Sequence, residues 1–212
     1  MVAQIEELAE KYLELLGYVQ TGTFVEVGAS DGRRWSNSYS LARMGWYGHY
    51  IEAVPEYAKI CAMNHARHPR VLAIGDKEDY ARVHVGSSLS TCSDQMRKLY
   101  DSLDWTQGYH TGEIVSTRQH SLEYFLRAVG IQPRFELLIV DVEGYEWEVF
   151  RNFNISEWSP QVVIVEIEDE HDSFKDVKFL QKRFRKLRSY FQDHGYDTYW
   201  KDKINTIFVY RQ

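Results

Sequence analysis

The chain has 212 residues, 44% of them apolar, 15% aromatic and 26% charged, with a net charge of −6. That composition supports a real core and excludes a disordered chain. The acidic balance argues against a protein that grips nucleic-acid backbones, and two cysteines, Cys61 and Cys92, make neither a disulfide framework nor a zinc site.

Residues 3–16 place Ile5, Leu8, Tyr12, Leu13 and Leu16 at helical spacing, which predicts a packing helix within residues 1–20 that stops at Gly17. The acidic start, Met1 to Glu7, is unlike a signal peptide, and no apolar run approaches the ~20 residues of a membrane span. The expectation is a cytoplasmic protein with no membrane partner. Phe24 to Val27 reads as a buried strand running into the turn Gly28-Ala29-Ser30-Asp31-Gly32, with a helix expected over Arg33 to Arg43. Gly45 to Gly48 reads as a turn, His49 to Glu52 as a second strand and Glu56 to His65 as a helix opened by Pro55. A third strand, Val71 to Ile74, completes two βαβ units and hence a parallel sheet.

Tyr80 to Val85 and Glu113 to Thr117 alternate like strands. Residues 86–112 between them are rich in Ser, Thr, Asp and Gly, with an amphipathic piece near Gln95 to Leu103. A connection of that length is either a lid over a substrate or a solvated loop with one short helix. A helix is expected over His120 to Val129. Phe135 to Asp141 and Val162 to Ile167 are apolar on both faces, as central parallel strands are, with a helix at 145–151 between them. Ser173 to Asp193 predicts a long helix with Val177, Leu180, Phe184, Leu187 and Phe191 on one stripe. Its other face is basic, which usually means solvated. Tyr196 to Trp200 and Ile204 to Tyr210 read as a closing hairpin around Asp202 and Lys203. With no linker or repeat, residues 1–212 read as one domain of a doubly wound α/β fold.

A strand ending in Gly-x-x-x-Gly suits a nucleotide-like cofactor, with Gly28 admitting a ligand, Gly32 admitting close packing and free N–H groups facing the ligand. Its plain structural counterpart is a tight turn. Glu52 ends the second strand and can accept hydrogen bonds from ribose hydroxyls; Asp76 follows the third strand, placed for the adenine edge. Two acids in the turn, Glu26 and Asp31, disfavour a pyrophosphate. They suit S-adenosylmethionine, whose amino-acid end is a zwitterion and whose sulfonium is cationic. Ser36, Asn37 and Ser38 add polar groups beside it. A second set runs through Asp141, Glu143, Glu166, Glu168 and His171, of which Asp141 and Glu166 are expected beside the Gly28 turn, over the cofactor's reactive end. Asp141, Glu143 or His171 can act as base toward a hydroxyl, and Asp141 with Glu166 can hold a divalent metal. The counterpart reading is a helix-dipole acid and a solvated acidic loop.

These pieces resemble the FkbM-type family of S-adenosylmethionine-dependent methyltransferases. The resemblance rests on Val25 to Gly32, Ser36 to Ser38, Gly45 to Gly48 with Ile51 to Pro55, Ile139 to Glu146, Val165-Glu166, Gly195-Tyr196 and the stretch Asn205 to Val209. The Asp-x-Glu-Gly-x-Glu element at 141–146 is its most specific part. The family has Asp where Glu26 stands, and a proline often follows the acid where Ala53 stands. The resemblance implies the class I methyltransferase (Rossmann-like) fold, a mostly parallel seven-stranded sheet with a C-terminal antiparallel hairpin. It implies a cofactor site over Glu26, Gly28, Ala29, Ser30, Asp31, Gly32, Ser36, Glu52, Ala53, Asp76 and Asp141. It also implies O-methylation of a hydroxyl on a small-molecule or glycan acceptor. An NAD-binding Rossmann oxidoreductase and a non-catalytic cofactor-binding module are the alternatives.

Overall fold

The computed structural model describes residues 4–5, 7–17, 21–65 and 69–211. Of the acidic start, Met1 to Ala3 and Glu6 lie outside the described residues. In chain order the elements are α1 (Leu8–Leu16), β1 (Thr23–Val27), α2 (Tyr39–Arg43), β2 (Tyr47–Glu52), α3 (Pro55–Asn64), β3 (Arg70–Val71), β4 (Ala73–Ile74) and β5 (Asp79–His84). They continue with α4 (Asp94–Asp101), β6 (Ile114–His120), α5 (Leu122–Val129), β7 (Leu137–Val140), α6 (Glu146–Phe150), α7 (Ile155–Trp158), β8 (Val162–Glu166), α8 (Lys178–Asp193), β9 (Tyr196–Lys201) and β10 (Asn205–Tyr210).

Seven strands form one sheet in the order β3-β2-β1-β7-β8-β10-β9. The pairs from β3 to β8 are parallel, and β10 runs antiparallel to β8 and β9. This is the expected doubly wound sheet with its closing hairpin. The strand side chains alternate between two cores, as a period of two requires. Val25, Val27, Leu138, Val140, Val163 and Val165 pack on the side of α5, α6 and α8. Phe24, Leu137, Ile139, Val162, Ile164 and Ile207 pack on the side of α1, α2 and α3. The stripe expected on α8 is buried at Leu180, Phe184, Leu187 and Phe191. No described helix is long and apolar enough to cross a membrane.

Several expectations are corrected. The stretch Arg33 to Ser38 is not helical, because the Asp31 carboxylate takes the N–H groups of Arg33 and Arg34, each at 2.8 Å; α2 begins only at Tyr39. Tyr47 and Gly48 belong to β2 rather than to a turn. The single strand expected over 71–74 divides at Leu72: Arg70 and Val71 pair with β2, while Ala73 and Ile74 pair with β6. With β5 this makes a separate three-stranded sheet, β4-β6-β5, which the sequence reading did not contain. Nor is the basic face of α8 simply solvated. Arg183 bonds the Gly144 carbonyl and Glu148, at 2.6 and 3.0 Å, and Arg188 pairs with Asp169.

Candidate active site

Period-two alternation decides which acids meet. Glu26 shares the side of Phe24, Glu52 that of Tyr50, Asp141 that of Ile139 and Glu166 that of Ile164, the side on which α1 to α3 pack. The strand registers Val27↔Ile51, Val27↔Val140 and Val140↔Val165 then carry Glu52, Gly28, Asp141 and Glu166 into one row at the C-terminal edge of the sheet. Asn205 pairs directly with Glu166 and extends that row. This is the edge where ligands of doubly wound folds bind.

The glycine turn is spoken for by the protein itself. The N–H groups of Gly28 and Ala29 both donate to the Ile51 carbonyl at 3.0 Å, and that of Gly32 donates to Ala29 at 2.7 Å. Ser30, at φ 48°, donates its N–H to Glu52 Oε2 at 2.7 Å, and the other Glu52 oxygen accepts the Val54 N–H at 2.7 Å. Glu52 thus clamps the ends of β1 and β2 together. The sequence expectation of free turn amides facing a ligand is corrected here. Gly28, at φ 87°, admits the protein backbone: a Cβ there would stand 1.7 Å from the Asp141 carbonyl oxygen. Gly32 lies against Cys61 and His65 of the α3 region, not against the helix that follows it.

Asp-x-Glu-Gly-x-Glu divides its labour. Asp141 and Glu143 are half-buried on the cavity wall. Glu146 is buried and accepts the N–H groups of Val142 and Gly144 at 3.0 and 3.2 Å, so it shapes the loop rather than facing a ligand. Gly144, at φ 79°, packs on Met96 of α4, where a Cβ would meet Met96 Cγ at 2.3 Å. Glu143 accepts the Tyr100 hydroxyl, and its carbonyl accepts Thr91 Oγ1 at 2.7 Å.

Burial dominates the electrostatics. It raises Glu26, Glu52 and Glu146 from the ordinary 4.5 to about 7. Hydrogen bonds from Ser38 Oγ (2.7 Å) and Ser36 Oγ (3.3 Å) oppose the rise at Glu26. Burial also raises Asp141, Glu143, Glu166 and Glu168, and repulsion from neighbouring carboxylates adds to it at the three glutamates. Hydrogen bonding from Gln4 and Glu166 opposes the rise at Asp141. The N-terminal segment therefore does more than pack. Gln4 reaches the cavity, and Asn37 ties it down through Nδ2 at 2.9 Å.

These groups line a cavity of about 430 Å³, within the ~300–1,000 Å³ of small-molecule sites. Residues 86–112 supply one wall through Ser87 to Ser90, Cys92, Tyr100 and Trp105. Ile51, Leu72, Ala73, Ile74 and Val83 add apolar surface to its lining. His171 also lines the cavity; its Nδ1 accepts the Ser173 N–H at 3.3 Å and its ring stacks on Phe174. The neutral ring then carries its proton on Nε2, and burial lowers its pKa.

Residues 26–198 match the methyltransferase FkbM domain. The chain belongs to the FkbM methyltransferase family. A methyltransferase FkbM from Methylobacillus flagellatus KT is similar in structure, with a TM-score of 0.50 at 14% identity over 90% of this chain. This FkbM-family chain spans 44% of that protein. A TehB-like SAM-dependent methyltransferase from Corynebacterium glutamicum is 8% identical over 100% of this chain and 89% of its own, with a TM-score of 0.47. An O-methyltransferase from Bacillus cereus, in complex with SAH, is 14% identical over 97% and 82%, also at 0.47. The comparison with curated proteins gives no match.

Within this FkbM-family fold the cavity gathers Glu26, Gly28, Ala29, Ser30, Ser36, Glu52, Ala53, Asp141, Glu143, Glu166 and His171 of the residues expected from sequence. It does not gather Asp31, Gly32 or Asp76. Asp31 is occupied with backbone N–H groups, and Asp76 pairs with Arg151 at 2.9 Å. Among residues the sequence reading left out are Gln4, Tyr57, Cys92, Tyr100, Trp105 and Tyr145. Only Tyr100 carried a signal, its place on the amphipathic piece that becomes α4.

Proposed function

We propose that the chain binds S-adenosylmethionine and methylates a hydroxyl on a sugar, glycan or small metabolite. One observation carries the choice of methyl donor. The amides of Gly28, Ala29, Ser30 and Gly32 are consumed by internal hydrogen bonds, and the cavity wall is instead lined with carboxylates. A dinucleotide's pyrophosphate needs bare N–H donors and no nearby negative charge. A sulfonium and an ammonium group need the reverse. The donor set therefore fits S-adenosylmethionine and does not fit NAD.

When bound, S-adenosylmethionine supplies an electrophilic methyl group. Glu52 stands where a carboxylate accepts ribose hydroxyls, while Ile51, Leu72 and Ile74 offer apolar surface for the adenine. Glu26, held by Ser36 and Ser38, suits the ammonium of the amino-acid end. Asp141, at the end of β7, is the carboxylate we assign to take the acceptor's hydroxyl proton when no cation is bound to it, and a raised pKa improves it as a base. His171 is the weaker candidate, because Nδ1 is engaged and Nε2 carries a proton. Ser87 to Ser90 and Trp105 give the acceptor a wall of hydroxyls and one aromatic face.

Calorimetric titration with S-adenosylhomocysteine tests the reading. One molecule per chain is expected to bind, and Glu26→Gln is expected to weaken it about 10-fold, the loss of one charge-assisted bond. NADH fluorescence is expected to be unchanged on mixing. A folded chain that takes up neither S-adenosylmethionine nor its product overturns the assignment.

A further inference from the structure

We propose that Asp141, Glu143 and Glu166 hold one divalent cation of the oxygen-binding kind, magnesium or calcium, on the wall of this cavity. Each of the three offers an oxygen, and the three oxygens lie within 4.8 Å of one another. Two oxygens bound to one calcium-sized ion at ~2.4 Å are never more than ~4.8 Å apart, so the spacing of the three meets the limit that a shared ion sets. Carboxylate oxygens without sulfur or imidazole among them favour hard cations over zinc or copper.

Two buried side chains in and beside the cluster point to a ligand there. Glu166 is 4% exposed, and its Oε2 has no hydrogen-bond partner. Asn205, its direct partner across the antiparallel pair, is 1% exposed, and both its amide atoms are unpartnered. Buried polar groups are rarely left so, and each one costs roughly 1–3 kcal/mol. Charge balance points the same way. The nearby arginines are spent on Asp76, Glu148 and Asp169. The cavity instead holds Glu26, Glu52, Asp141, Glu143, Glu166 and Glu168, with Arg34, among the described residues, as the one arginine on its wall, and Arg34 is exposed. The donor proposed above brings a sulfonium and an ammonium but also its own carboxylate. A divalent cation between β7 and β8 would neutralise the pair that the sheet register forces together.

Manganese, a paramagnetic stand-in for magnesium, makes the test independent of any acceptor. The full chain, freed of metal with a chelator and desalted, is titrated with Mn²⁺ while the free-ion electron paramagnetic resonance signal is followed. One Mn²⁺ per chain is expected to be taken up, and Glu166→Gln to weaken uptake about 10-fold or more, as loss of metal-site groups does. Glu170→Gln, on the exposed loop beyond the site, is expected to leave it unchanged. Circular dichroism checks folding; if Glu166→Gln does not fold, Glu143→Gln on the half-buried loop serves in its place. No uptake by folded wild-type chain, or equal uptake by wild type and the folded variant, overturns the proposal. S-adenosylhomocysteine binding without Mn²⁺ binding removes the cation and keeps the methyl donor. Mn²⁺ binding without S-adenosylhomocysteine binding does the opposite.

Discussion

Glu26 shows how a single side chain couples binding to stability. Its carboxylate is 4% exposed, is held by two serine hydroxyls, and is raised to about 7 by burial. At pH 8 it is ionised inside the protein, which costs folding free energy. Glu26→Gln removes the charge and keeps the shape. The melting temperature at pH 8 is therefore expected to rise, by ~2–4 °C for each kcal/mol relieved, while affinity for S-adenosylhomocysteine falls. Scanning calorimetry and titration on the same variant check both halves, and a variant that binds as well as wild type would show that Glu26 is only structural. Glu52 is expected to behave differently. Its two oxygens each accept a backbone N–H, so Glu52→Ala leaves the Ser30 and Val54 amides without partners. A loss of ~1–3 kcal/mol per unsatisfied group is expected in urea unfolding.

At the scale of elements, the contact between the glycine turn and β7 is the tightest joint. In Gly28→Ala the new Cβ would sit 1.7 Å from the Asp141 carbonyl, and a backbone atom cannot swing away. Gly45 is the control, with φ 95° and nothing within 4 Å. Gly45→Ala is expected to cost ~1–2 kcal/mol, the penalty for a left-handed L-residue. Gly28→Ala is expected to exceed ~4 kcal/mol and to yield little folded chain; similar urea midpoints would refute the steric account. The central strands were legible because runs such as Leu137–Val140 and Val162–Val165 are apolar on both faces, and the C-terminal ends of neighbouring strands brought Asp141 and Glu166 together. The helix after the turn was misread because Asp31 captures the amides that would have begun it. Two strands of the second sheet were legible by alternation, near Tyr80–Val85 and Glu113–Thr117, but their joining to Ala73–Ile74 was not, since a strand that short carries no periodicity. The Asp76–Arg151 pair joins positions that no local pattern connects.

Over the whole molecule the buried acids set the pH response. Glu26, Glu52 and Glu146 rise from 4.5 to about 7, so the folded state holds more protons than the unfolded state between those values. Stability from these groups is fully present below about 4.5 and is lost as pH rises through about 7. Half-buried histidines with lowered values, His65, His110 and His171, oppose this below 6.5. They are fewer than the raised carboxylates, which also include Asp141, Glu143, Glu166 and Glu168. The ligand-free chain is therefore expected to melt higher at pH 5.5 than at pH 7.5. Stabilisation by S-adenosylhomocysteine is expected to be larger at pH 7.5, where the carboxylates are free to meet a cation; a flat melting profile would contradict both. The row of residues along the sheet edge also acts as a ruler. Neighbouring strands lie ~4.8 Å apart, so Asp141 and Glu166, on adjacent strands, are one interval apart and behave as a pair. Glu52 and Asp141 are two intervals apart, ~10 Å, with only Gly28 between them. Hydrogen bonding between strands thus meters out a carboxylate pair on one side and, on the other, a slot wide enough for a molecule to lie in.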